Sequence, residues 1–373
     1  MPAPLGLDDH PHAAAVLGAA LRPGGRPSHA YLFGGPAGTG KRSTARNFAA
    51  ELLAEHARDP ESARARTRSG AHPDLTWVVP SGAHEMLRRD VDDAVVSAAT
   101  RTPFESERRV FVLEGAETMN DEAANRLLKT LEEPAEYVVL LLLSDRPNQI
   151  LPTIASRCQH VRFDPLGAEA IAATLGAQGI ATSAAAACAR LALGDGVRAG
   201  MLASRDGSAL RGRAEAFARA PLLRRVAQER PWDALLTMAG ARGRLVEAEL
   251  DEALAAELET LAKSERRKRQ TEYAERSKRA SRRARTETLD LALGLAALWY
   301  RDLACQAAGA PELAHHADRT AELEADAEGR TAFQLREAVE LVEETRARFA
   351  FNVSEELACE ALSYRLERRL AVA

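Results

Sequence analysis

Residues 35–43 read GPAGTGKRS and follow HAYLFG at 29–34. Seven successive positions, Gly35 through Lys41, fit the phosphate-binding pattern G-x-x-x-x-G-K-[ST]. The eighth should be Ser or Thr, and this chain has Arg42. The context agrees with the pattern. AYLF at 30–33 predicts a strand, Gly34 to Gly40 the turn, and Ser43 onward a helix. The alternative, a glycine-rich turn that merely precedes a helix, leaves the ordered strand, lysine and helix without a reason. In a phosphate loop Gly35, Gly38 and Gly40 let backbone N–H groups approach the phosphates. The helix N-terminus adds its dipole, and Lys41 sits against the phosphates. Arg42 is the fault, because the usual hydroxyl ligates Mg²⁺ and a guanidinium cannot. Ser43 comes one position late and, on a helix, points about 100° away.

Working outward, short apolar runs alternate with helical stretches through the first ~165 residues, which predicts a parallel α/β sheet. The runs are AYLF at 30–33, LTWVV at 75–79, RVFVLE at 109–114, YVVLLLL at 137–143 and HVRF at 160–163. Asn120 to Glu133 reads as a helix, with Asn120 as N-cap, Asp121 and Glu122 in the first turn, and Pro134 as its stop. A working hydrolytic site would end the RVFVLE strand in an acidic pair that organises Mg²⁺ and polarises water. Here Glu114 keeps the first acid in longer form, and Gly115 stands where the second belongs. Glu117 is two residues too far on. Both departures, at 42 and at 115, strike hydrolysis rather than phosphate cradling.

After Pro165 no strand pattern follows, and Ala- and Leu-rich helical periodicity runs to the end. The break PLLRRVAQERP at 221–231 divides this half. The expected domains are therefore 1–165 (α/β), 166–222 (small helical) and 223–373 (larger helical). A chain of 373 residues with 46% hydrophobic and 28% charged residues is globular and has ample material for such cores. A net charge of −4 advertises no global affinity for nucleic acid, so any such contact must be local. The four cysteines, Cys158, Cys188, Cys305 and Cys359, are scattered, with no CxxC pair. That spacing argues against a zinc cluster or a disulfide framework and for a reducing, cytoplasmic setting. No signal-peptide pattern opens the chain, and YVVLLLL is too short to span a bilayer, so no membrane role is expected.

Four stretches appear in order: SHAYLFGGPAGTGK at 28–41, HPDL at 72–75, AANRLLKTLEEP at 123–134 and LPTIASRC at 151–158. Together they resemble the bacterial clamp-loader AAA+ family, and within it the delta-prime branch of DNA polymerase III. The match is specific over residues 28 to about 165 and weaker but continuous beyond. It implies a RecA-like AAA+ P-loop domain, a helical lid domain and a C-terminal helical collar domain that oligomerises in a ring. By the same resemblance Arg157, in Ser156-Arg157-Cys158, is an arginine finger acting in trans on a neighbour's ATP. An always-charged, planar guanidinium suits that task; a surface arginine in a solvated salt bridge is the plainer alternative. Arg198, in GDGVR at 194–198, falls at the family's sensor-2 position and would face the chain's own pocket, or else is structural. Ser144 falls near the sensor-1 position. The nucleotide-binding set is then Gly35, Gly38, Gly40, Lys41, Ser43, Glu114 and Arg198. It could hold ATP or ADP but should hydrolyse little or none, and no polymerase site is expected in this chain. Many relatives insert a four-cysteine zinc module before HPDL. The corresponding HARDPESARARTRSGA at 56–71 has no cysteine, so no zinc is expected and the local structure is left open. The implied partners are the gamma/tau motor and delta subunits, the sliding clamp and, through the complex, primer–template DNA.

Lys263 to Arg285 holds eleven Lys or Arg against three Glu. A solvated basic helix face or a mobile arm is one reading, and contact with DNA or an acidic partner is the other. The lone aromatic, Tyr273, gives base stacking little support. Trp299 and Tyr300, in LWYRD at 298–302, are expected to pack between helices. Two other functional readings compete: an active DNA-stimulated motor ATPase, disfavoured by Arg42 and Gly115, and a non-replicative AAA+-like scaffold, disfavoured by LKTLEEP and SRC.

Overall fold

A computed structural model describes residues 7, 9–22, 24–80, 85–260, 263–349 and 353–371. The opening prolines at positions 2 and 4 lie outside the described residues. The chain forms two compact units, one of residues 1–167 with 194–197, the other of 168–193 with 198–373.

The first unit is built on a five-stranded, wholly parallel sheet. Its strands are β1 (Ala30–Gly34), β2 (Leu75–Val78), β3 (Arg109–Glu114), β4 (Val138–Ser144) and β5 (Gln159–Arg162), in the order β2-β3-β4-β1-β5. All five expected strands form, to within two residues. β1 and β4 are buried along their whole length, as strands covered on both faces must be. Side chains alternate between the two faces. Ala30, Leu32, Phe111, Leu113, Leu140 and Leu142 enter the core on one face. Tyr31, Phe33, Val110, Val112, Leu141 and Leu143 enter the other, with Phe48 and Leu52. Those two come from α2 (Lys41–Ala54), which begins as the glycine-rich turn ends; α1 is Pro11–Ala20. The segment without cysteines forms α3 (Pro60–Ser69). Asp59 caps it by accepting from the Ser62 N–H at 3.1 Å, and Arg64 ties it to Glu51 of α2 at 3.0 Å. The helix expected at 120–133 is α4 (Asp121–Glu132), with Asn120 accepting from the Ala123 N–H at 2.9 Å. The unit is thus a parallel α/β sheet in which a glycine-rich turn joins β1 to α2.

HPDL is a fastening. The buried Asp74 carboxylate accepts from the backbone N–H groups of Phe104, Glu105 and Ser106 at 2.5, 3.0 and 3.0 Å. His72, also buried, accepts from the Asp74 N–H through Nδ1 and meets Glu105 through Nε2 at 3.0 Å. Burial lowers the His72 pKa, which keeps the ring neutral and able to accept at Nδ1.

The second unit is helical: α5 (Ala168–Ala177), α6 (Thr182–Leu191), most of α7 (Gly196–Ala203), α8 (Arg205–Leu222), α9 (Pro231–Thr260), α10 (Lys263–Ala307), α11 (Thr320–Ala327), α12 (Ala332–Arg348) and α13 (Glu355–Leu370). The boundary expected at 222/223 falls inside this unit, where α8 packs against α9, α10 and α13. Trp299 and Tyr300 are fully buried, as expected. The Tyr300 hydroxyl donates to Ala218 O at 2.8 Å, and Trp299 Nε1 donates to Asp326 at 3.2 Å. Beside them the buried Asp302 accepts from the backbone N–H groups of His315 and His316, both at 2.8 Å, and meets both imidazoles. Burial alone would raise its pKa. The four contacts from His315 and His316 outweigh that and hold the carboxyl well below the usual range.

Candidate functional site

The phosphate-loop residues converge at the C-terminal ends of β1, β3 and β4. Gly38 and Gly40 have φ of +71° and +84°, a left-handed backbone that glycine adopts without strain. Lys41 opens α2 and is only 7% exposed. It folds back on its own loop, donating to Gly35 O at 2.6 Å, Pro36 O at 2.5 Å and Thr39 Oγ1 at 3.4 Å. It also pairs with Asp145 at 2.8 Å. Ser144, just before, lies buried at the end of β4 opposite Gly34, and its hydroxyl accepts from the Arg146 N–H at 3.1 Å.

Arg42 projects from the first turn of α2 and grips Glu114. Its Nη2 approaches Oε1 at 2.5 Å and Oε2 at 2.7 Å, and Nε donates to Oε2 at 3.0 Å. Trp77 Nε1 donates to the same oxygen at 3.0 Å. Glu114, the surviving acid, is thus committed to an internal cation at the position where Mg²⁺ chemistry would need it. Ser43 does not substitute for the missing hydroxyl, since its Oγ donates to Gly40 O at 2.8 Å. Gly115 has φ of +67° and starts a tight turn, a left-handed backbone that disfavours an L side chain such as the acid a working site carries there.

Two carboxylates escaped the sequence reading. Asp145 follows Ser144 directly, and Asp195 lies in the GDGVR stretch whose arginine was singled out. A Cβ placed on Gly38 would overlap the Asp195 carboxylate, so that carboxylate rests on the loop itself. With Asp195 on Gly38 and Lys41 neutralised by Asp145, the cradle as arranged does not fit a polyphosphate. Two like charges would have to leave first. Arg198, on α7, falls in the helical unit and is half-buried there.

Arg157 stands apart from these residues. It follows the short turn Pro152–Ala155, donates through Nη1 to Thr153 O at 2.8 Å and pairs through Nη2 with Glu132 at 2.7 Å. Glu132 closes α4, so the LKTLEEP and SRC motifs meet in this ion pair. Arg157 is 36% exposed, and Glu132 is 50% exposed. An exposed pair of this kind is worth about 0–1 kcal/mol, so the guanidinium is cheaply released to another anion. Cys158 behind it is buried, which pushes its thiol up to about 12 and keeps it unreactive.

Residues 10–167 match the family described as "DNA polymerase III, delta subunit". This segment is similar to that family. The DNA polymerase III subunit delta-prime of Pseudomonas aeruginosa is 43% identical over 145 residues, covering 36% of this chain and 43% of that protein. The corresponding subunit of Bacillus subtilis is 39% identical over 150 residues, covering 39% and 45%. The Bacillus subtilis DNA polymerase III subunit tau is 35% identical over 152 residues, covering 39% and 26%. The chain thus spans less than half the length of the curated relatives it matches. Among solved structures, a DNA polymerase III gamma subunit-related protein of Thermotoga maritima aligns over 96% of this chain and 100% of its own. Its identity is 14% and its TM-score 0.45. Among the described residues no helix is long and apolar enough to cross a membrane.

Proposed function

We propose that this chain is a delta-prime-type subunit of a bacterial replicative clamp loader, cytoplasmic, in which it acts on a neighbour's ATP and hydrolyses none of its own. The observation that carries the reading is the Arg42–Glu114 pair with Trp77 behind it. It puts a cation where a catalytic site holds its metal and engages the acid that would organise that metal. The delta-family match over 10–167 supports the assembly. In the ring the chain would sit beside gamma/tau motor and delta subunits. Arg157 would leave Glu132 and stabilise γ-phosphate charge in the adjacent motor site. ATP binding by the motors would hold the sliding clamp open, and hydrolysis triggered by primer–template DNA would release it.

The test is ATP turnover by the purified chain alone and mixed with its motor subunits, each with and without Arg157→Ala. The chain alone should be silent, and Arg157→Ala should lower turnover of the mixture by about ten-fold or more. Turnover by the chain alone that Lys41→Ala abolishes would make it a motor instead.

A further inference from the structure

The basic tract becomes the first half of α10, and the structure shows what lies on each side of it. α9 and α10 pack along their length as an antiparallel hairpin. Gly243 of α9 lies against Ser281 and Arg285 of α10, where an added Cβ would stand 2.9 Å from Ser281 Oγ and 2.8 Å from Arg285 Cγ. That contact sets the register. Residues 247–260 of α9, with six carboxylates and no basic residue, run beside the basic half of α10. The buried seam of α10 follows Ser277 and Ser281, one helical turn apart, with Tyr273 half-buried in line.

Opposite that seam, Lys278, Arg282 and Arg283 are exposed and Arg279 is half-buried. Arg267 and Arg276 extend the exposed cations along the helix, and among the side chains described between them Glu275 is the exposed acid. Arg283 pairs with Glu287 at 3.2 Å. Among the described residues no carboxylate pairs with Lys278, Arg279 or Arg282. On α9, Glu249, Asp251 and Glu252 are exposed. The hairpin is therefore cationic along the outer face of one helix and anionic along the other. Lys278 and Arg282, and likewise Arg279 and Arg283, are four residues apart, about 6 Å along the axis. That is a comb of charge at one-turn intervals.

We propose that the outer face of α10, centred on Lys278, Arg279, Arg282 and Arg283, binds the phosphate backbone of nucleic acid without regard to sequence. The chemistry of the face favours a nucleic acid over an acidic protein. Hot spots at protein interfaces centre on Trp, Tyr and Arg packed in desolvated pockets, and among the described residues from 266 to 287 the aromatic, Tyr273, is half-buried in the seam and no large apolar side chain is exposed. Backbone-binding surfaces are instead polar and strongly positive. The acidic face of α9 repels the same ligand and so fixes which side of the hairpin approaches it.

The test uses the full-length chain and a fluorescein-labelled duplex of about 30 base pairs, followed by anisotropy between about 50 and 200 mM salt. Each neutralised phosphate contributes about 0.9 to the slope of log K against log salt. The triple variant Lys278→Gln, Arg279→Gln, Arg282→Gln should bind about ten-fold or more weakly at the lowest salt, with a slope shallower by about 2 to 3. A control variant removing the same charge elsewhere, Arg101→Gln, Arg205→Gln, Arg368→Gln, should keep the wild-type slope. Circular dichroism of both variants checks that the helices persist. The proposal is overturned if the wild-type chain does not bind the duplex, or if the two triple variants weaken binding equally. Binding of poly-glutamate as tight as that of the duplex would assign the face to acidic proteins instead and overturn it too.

Discussion

At the scale of single residues, the site is decided by what each charged group has chosen as its partner. A phosphate loop works when Lys41 and the loop amides are left for the ligand. Here Lys41 is spent on Gly35 O, Pro36 O and Asp145, and Asp195 rests on Gly38. We expect the wild-type chain to bind a fluorescent ADP analogue only weakly. Asp195→Ala removes the carboxylate nearest the loop and should raise affinity by about ten-fold or more, since one like charge at contact distance costs over about 1 kcal/mol even in a water-like medium. Equal affinity of the two proteins in a fluorescence titration would mean that Asp195 does not guard the loop. Much of this site was legible in the chain. Arg42 and Gly115 are departures from a spacing rule, and both pointed to weakened hydrolysis rather than to a lost phosphate cradle. What was not legible is the pairing. Nothing in the spacing says that Arg42 reaches Glu114, 72 positions on, or that Asp195 rests on Gly38. Such contacts depend on where the strands place their ends.

At the scale of elements, capping chemistry and burial explain why the motifs stand where they do. Asn120 starts α4, and Pro134 follows its last turn, so Glu132 is delivered to Arg157. Strand β4 was legible because seven apolar residues in a row can only be a fully buried strand or a buried helix. Seven residues span a strand but fewer than two or so turns of helix. The lengths of α9 and α10 were less so. Charged residues dominate the hairpin, and only the facing helix gives Ser277, Ser281 and Gly243 a seam to fill. The Asp302 cluster holds the segment at 315–316 to α10 in the same way. Its depressed pKa means that the carboxylate stabilises the fold above the ordinary carboxyl range, and that this contribution is lost as pH falls through the folded value. Asp302→Asn should therefore lower stability by about 3 kcal/mol at neutral pH. The gap between variant and wild type should narrow as the pH is taken below about 4. Urea titrations at two pH values read this, and an equal gap at both would place the effect in packing rather than charge.

At the scale of the molecule, the two units have separate cores and separate fastenings. Asp74 secures three backbone amides in the first, and Asp302 secures two amides and two imidazoles in the second. Asp74→Ala leaves three amides without their acceptor and should cost about 3 kcal/mol or more. Because the two carboxylates share no partner, the double variant Asp74→Ala, Asp302→Asn should lose the sum of the single losses to within about 0.5 kcal/mol. Calorimetry of the four proteins measures it, and a larger departure would show that the two carboxylates are energetically coupled. The sequence by itself determined the fold class. Strand periodicity, a glycine-rich turn before a helix, and capping residues act over a few neighbours, so they can be read locally. It also determined what the loop lacks, because an absent hydroxyl or acid needs no geometry to be seen. Only the tertiary structure decided what fills those absences and which side of the basic helix faces outward. Both are matters of distance between residues far apart in the chain, and distance is set by packing.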